Sequence, residues 1–121
     1  MTLQDVINQA KEKSNGFDAG SYNGFFAIQV TLSDLNQQFY VEIKDGKLSI
    51  EPYEYSDRQA NLIISSENFI KMINGELNSV FAFTTGKLKV EGDLEKAKEF
   101  KAIFVWSFFI LFLYYFSLIT I

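Results

Sequence analysis

Apolar residues along the chain repeat with two periods, and the switches between them divide it into elements. Leu3, Val6, Ile7 and Ala10 fall at i, i+3, i+4 and i+7, one face of an amphipathic helix. Thr2 is placed to cap that helix, and Asp5 lies in the first turn, where the helix dipole favours a negative charge. Gly16 is the expected stop. The period then drops to two. Phe26, Ile28 and Val30 alternate with Ala27, Gln29 and Thr31; Phe39, Val41 and Ile43 with Tyr40, Glu42 and Lys44; Leu48 and Ile50 with Ser49 and Glu51. Such alternation predicts strands with one apolar and one more polar face. Asp45-Gly46, a two-residue link suited to positive φ at both positions, predicts a tight hairpin between the second and third strands. A looser loop, residues 32–36, joins the first two, and Pro52 ends the third.

Past a polar loop at residues 54–59, Ala60, Leu62 and Ile64 predict a fourth strand. Ser66 is the expected cap of a short helix carrying Phe69, Ile70, Met72 and Ile73 and stopped by Gly75. A second short helix is expected from Leu77 to Phe83, apolar nearly all round. Leu88 and Val90 make a fifth strand, and Asp93 caps a last helix with Leu94, Ala97, Phe100 and Phe104 on one face. Strands followed by helices argue for an α+β fold: a mostly antiparallel five-stranded sheet covered on one face by helices. One domain is expected over residues 1–103, followed by a hydrophobic tail over 104–121.

Composition narrows the chemistry. With no cysteine and no histidine, thiol catalysis, cysteine-ligated zinc and the commonest general acid/base are absent. Neither a catalytic residue nor a metal site nor a cofactor is expected, and the chain is read as a non-enzyme. Tyr40, Glu42 and Lys44 share a strand face, with Glu42 and Lys44 expected as a solvated surface pair. The net charge of −4 lacks the positive footprint that phosphate neutralisation requires, so nucleic acid is not an expected partner. The N-terminus has neither the basic flank nor the apolar core of a signal peptide, and a cytoplasmic protein is expected.

Residues 69–83 hold more apolar side chains than one helix face needs. They either pack as core or line a cavity, and periodicity does not separate the two. The stretch Gly75-Glu76-Leu77-Asn78-Ser79-Val80-Phe81-Ala82-Phe83-Thr84-Thr85 and the following Gly86-Lys87-Leu88-Lys89-Val90-Glu91-Gly92-Asp93 resemble the core signature of the sterol carrier protein 2 family. That pattern is a short helix after a glycine, then Gly-Lys-Leu-Lys, two residues, Gly, and Asp or Asn. The Asp45-Gly46 hairpin, the strand at Ala60-Asn61-Leu62-Ile63-Ile64 and the helix around Phe69 also agree, so the resemblance spans roughly residues 2–104. It implies a hydrophobic tunnel between sheet and helices, and non-enzymatic binding and transfer of a lipid: fatty acid, fatty acyl-coenzyme A, sterol or phospholipid. The lining it implies is Phe69, Ile73, Leu77, Val80, Phe81, Phe83, Leu88, Val90, Leu94, Ala97 and Phe100. Each buried methylene is worth about 0.8 kcal/mol, so an acyl chain can bind with few polar contacts. The motif itself reads as scaffold, and Lys87 and Lys89 as a solvated face. Where some relatives carry Gln, this chain has Thr85. The resemblance also implies a second role, an accessory or interaction module at a membrane, such as a partner in a lipid or quinone pathway.

The tail departs from the family. Residues 102–121 carry no charge and, as a helix, would match the roughly 30 Å of a bilayer core. Lys96, Lys98 and Lys101 precede them in the positive-inside sense. Three readings stand: a C-terminal membrane anchor, a lid over the tunnel, and a non-native extension. The peroxisomal Ser-Lys-Leu ending is absent.

Overall fold

The computed structural model describes residues 1–104. The chain runs α1 (Leu3–Lys13), a 3-10 turn (Ala19–Ser21), β1 (Phe26–Leu32), β2 (Gln37–Lys44), β3 (Lys47–Glu51), β4 (Ala60–Ile64), α2 (Ser66–Ile73), α3 (Ser79–Thr84) and β5 (Leu88–Gly92). A fourth helix, α4, is described over residues 94–104.

Local chemistry accounts for most boundaries. The Thr2 side chain accepts from the Asp5 amide at 3.2 Å while the Asp5 carboxylate accepts from the Thr2 amide at 2.9 Å, a reciprocal capping box. The helix then stops at Ser14, before Gly16 is reached. Asp45 and Gly46 adopt φ of 52° and 75°, closing the β2–β3 hairpin. The cap of α2 is Ser65, one residue earlier than expected: its hydroxyl accepts from the Asn68 amide, and Ser66 instead donates its amide and hydroxyl to the Asp34 carboxylate. Leu77 precedes α3, because Asn78 takes the cap and accepts from the Phe81 amide at 3.0 Å.

The sheet order is β3-β2-β1-β4-β5. Every neighbouring pair is antiparallel except β1–β4, which is parallel. The polar connection after β3 causes this. It leaves the β3 edge, passes β2 and β1, and delivers β4 on the far side of β1, running the same way. Register puts Phe39, Val30, Leu62 and Val90 in one row across β2, β1, β4 and β5, all on the helix-bearing face. Val6, Ile7 and Ala10 of α1 bury against this face, and Phe69, Ile73, Phe100, Ile103 and Phe104 of α2 and α4 complete the core. Phe69 is its aromatic hub, with ring centroids 5.4 Å from Phe39 and 6.2 Å from both Phe100 and Phe104.

The other face is a polar row of Glu51, Tyr40, Gln29, Asn61 and Glu91. Part of it is covered. Tyr55 donates its amide to Gln29 at 3.0 Å and its hydroxyl to Glu42 at 2.6 Å, and Gln59 bonds Ala27 and Phe25. This is why β1 is buried on both faces, although its alternation predicts one. It also corrects the expected Glu42–Lys44 pair, since Glu42 is engaged by Tyr55 instead.

Candidate functional site

The sheet and helices do not close completely at the β4–β5 end. An apolar cavity of about 400 Å³ lies there, within the roughly 300–1,000 Å³ usual for small-molecule sites. Its floor is Leu62 of β4 with Leu88 and Val90 of β5. Met72 and Ile73 of α2, Ser79, Val80 and Phe83 of α3, and the α4 residues Leu94, Ala97, Lys98, Phe100, Lys101 and Phe104 form the remaining walls. The predicted tunnel thus takes the form of a cavity open along α3. Val80, Phe83 and Leu94 line it yet remain 66%, 47% and 44% exposed, which marks them as its mouth.

The stretch from Gly86 to Asp93 builds this floor. Pairing of Leu88 with Ile64 and Val90 with Leu62 turns both side chains toward the helices, and sends Lys89 and Glu91 to the outer face. Gly92 has φ +97°, and a Cβ there would sit 2.7 Å from the Gln59 carbonyl oxygen, so no other residue fits this crossing. The Asp93 carboxylate then accepts from the amides of Glu95 and Lys96 at 2.9 and 3.2 Å, starting α4 across the cavity.

Eight of the eleven residues expected to line a tunnel meet at this cavity: Ile73, Val80, Phe83, Leu88, Val90, Leu94, Ala97 and Phe100. Three do not. Phe69 is fully enclosed by aromatic neighbours, Leu77 packs half-buried against the core, and Phe81 points outward, 53% exposed, with the Lys87 ammonium 5.6 Å from its ring centroid. α3 is apolar on both sides, so one of its faces had to point away. Reasoning from sequence missed Leu62, Met72, Ser79, Lys98, Lys101 and Phe104. The 3.6-residue repeat of α4 through Leu94, Ala97, Lys101 and Phe104 carried a signal for Lys101, which otherwise reads as a charge flanking the tail.

Three polar side chains, Tyr22, Lys96 and Glu99, brace the site from outside. Tyr22 donates to Glu99 at 2.6 Å and accepts from Lys96 at 3.0 Å, tying the segment after α1 to α4. Burial raises the Tyr22 phenol pKa, and Tyr22 in turn raises that of Lys96. Phe104, placed at the head of the predicted tail, is a buried residue of α4 with its ring 5.0 Å from that of Phe100. The anchor, lid and extension readings concern the residues beyond it, which lie outside the described ones. Among the described residues no helix is long and apolar enough to cross a membrane.

The comparisons agree with this geometry. The SCP-2 sterol transfer family matches residues 4–105. The chain is 34% identical over 103 residues to the hydroxysteroid dehydrogenase-like protein 2 of Xenopus tropicalis, covering 84% of this chain and 24% of that protein. It is 28% identical over 108 residues to a fatty acid-binding protein of Yarrowia lipolytica, covering 84% and 81%. Its fold matches that of palmitated SCP2L2 from Aedes aegypti with a TM-score of 0.60 at 17% identity, covering 86% of this chain and 95% of that one. Several curated relatives are much longer, and the chain spans 17% to 24% of their length, while it matches half of the similarly sized sterol carrier protein 2 of Arabidopsis thaliana. The chain therefore belongs to the SCP-2 sterol transfer family, whose domains bind and carry lipids and are typically not themselves catalytic.

Proposed function

We propose that this protein binds the acyl chain of a lipid in the cavity between α3, α4 and the β4–β5 floor, and carries it between membranes or enzymes without altering it. The observation that carries this reading is the cavity itself. It is walled by aliphatic and aromatic side chains and opens at a rim of exposed apolar residues. An acyl chain transferring from bilayer to cavity would keep its methylenes off water, each worth about 0.8 kcal/mol. The relative named a fatty acid-binding protein and the palmitated structural neighbour favour a single acyl chain as cargo.

The test is a titration of the full chain with a fluorescent fatty acid. Saturable binding in the micromolar range is expected, and Ala97→Phe, which places a ring in the cavity from the α4 wall, should weaken it at least tenfold. Absence of saturable binding to the unaltered chain would refute the proposal.

A further inference from the structure

The cavity wall contains two ionisable side chains, Lys98 and Lys101, and both are cationic. Among the described residues no carboxylate lines it, in a chain whose net charge is −4. Neither acidic residue of α4, Glu95 or Glu99, is part of the lining. Glu99 is held by Tyr22 at 2.6 Å and Lys96 at 3.4 Å on another side of the helix. Glu95 reaches Lys98 at 3.2 Å, but the two side chains are 79% and 64% exposed, so the pair is weak and easily exchanged for another anion. Lys101 follows Lys98 by three residues, a spacing that makes them neighbours on the helix surface. Lys101 makes no ion pair among the described residues. The other lysines near the site are turned away: Lys87 lies over the Phe81 ring, and Lys89 is on the outer face of the sheet.

A lysine on an apolar wall lays its methylenes along the wall and keeps its ammonium at the water boundary. Lys98 and Lys101 thus add a cationic edge to a cavity whose remaining lining, Ser79 apart, is apolar. We propose that this edge is a head-group subsite: Lys98 and Lys101 hold the anionic head of a single-chain lipid, a carboxylate or a phosphate, while the acyl chain lies against Leu88, Val90 and Ala97. The two lysines are specificity-determining residues that favour acidic lipids over neutral ones of equal chain length. This rests on the lipid-binding reading above, and goes beyond it by naming the head and the residues that meet it.

The experiment is competition on the full chain. A bound fluorescent fatty acid is displaced by dodecanoic acid, dodecyl phosphate or dodecanol, at low and at high salt. At low salt at least one acidic lipid should displace the probe about fivefold or more better than dodecanol, by the measure of exposed ion pairs. Which acid leads identifies the head, and high salt should shrink the difference. In the double variant Lys98→Gln/Lys101→Gln the probe, itself an acid, should bind more weakly. Once displacement is corrected for that, the affinities of the acids should fall to the dodecanol level while that of dodecanol is unchanged. Lys87→Gln/Lys89→Gln should change none of the three. Equal displacement by acid and alcohol in the unaltered chain, or equal loss of both in the double variant, would overturn the subsite while leaving lipid binding intact. A probe that never binds would instead overturn both.

Discussion

Two phenylalanines show how far apart similar residues can end up. Phe69 and Phe81 both sit in apolar stretches after β4, and both look like tunnel lining in the sequence. Phe69 became the centre of an aromatic cluster with Phe39, Phe100 and Phe104, and Phe81 a half-exposed ring beside Lys87. Phe69→Ala should therefore cost about 3–5 kcal/mol of stability by leaving a cavity at the hub. Phe81→Ala should stay within about 0.5 kcal/mol, as surface changes usually do. Urea unfolding of the two variants checks both numbers, and similar losses would show that Phe81 is packed after all. The pattern of apolar positions identifies side chains that leave water. It carries no information on whether the other side of the contact is a ring, a void or solvent, and so the partition among the eleven expected residues required coordinates.

Elements were more legible than residues, wherever a boundary rests on local chemistry. The Thr2–Asp5 box, the Asp45-Gly46 turn and the Asp93 cap each depend on groups within a few residues, and each stands where the sequence puts it. The parallel β1–β4 pair and the covered outer face depend on the connection between β3 and β4, whose contacts span about thirty positions of sequence and leave no periodic trace. Tyr55 pins that connection. The hydrogen bond to Glu42 pushes its phenol up to about 12, with burial adding to the rise. The folded state therefore holds this proton more tightly than the unfolded one. The resulting stability is complete below the ordinary tyrosine value of 10 and is lost as pH climbs through about 12. Tyrosinate absorbance in an alkaline titration should show several late-ionising phenols, of which Tyr55→Phe removes the one near pH 12. The variant should also lose part of its stability at neutral pH, with a shallower alkaline decline. At the end of the same crossing, Gly92→Ala should cost more than about 1 kcal/mol, since a Cβ has no room beside the Gln59 carbonyl and φ is positive. A neutral effect in thermal unfolding would mean that β5 can move away from β4.

For the whole molecule, the cavity links stability to cargo. The described residues leave about 400 Å³ of apolar space between them, and they forgo there the contacts a filled core would have. The same walls are structural: Leu62, Leu88, Phe100 and Phe104 belong both to the core and to the lining. A ligand that binds only the folded state must then stabilise the entire domain, by about 2.7 kcal/mol at a free concentration one hundred times its Kd. Saturating fatty acid should raise the urea midpoint accordingly, with the slope of the transition unchanged. Ala97→Phe should separate the two roles of the space. Filling the void from α4 should leave the ligand-free protein as stable or more so, by up to about 2 kcal/mol, as cavity-filling changes do. It should also cut the shift produced by the same concentration of ligand by about 1.3 kcal/mol or more, as a tenfold or greater loss of affinity requires. If the variant kept the full shift, the acyl chain would have to bind elsewhere on the molecule. If the unaltered chain gained none at a concentration that saturates binding, cargo would have to bind folded and unfolded chain alike, and the cavity would be no more than a packing defect.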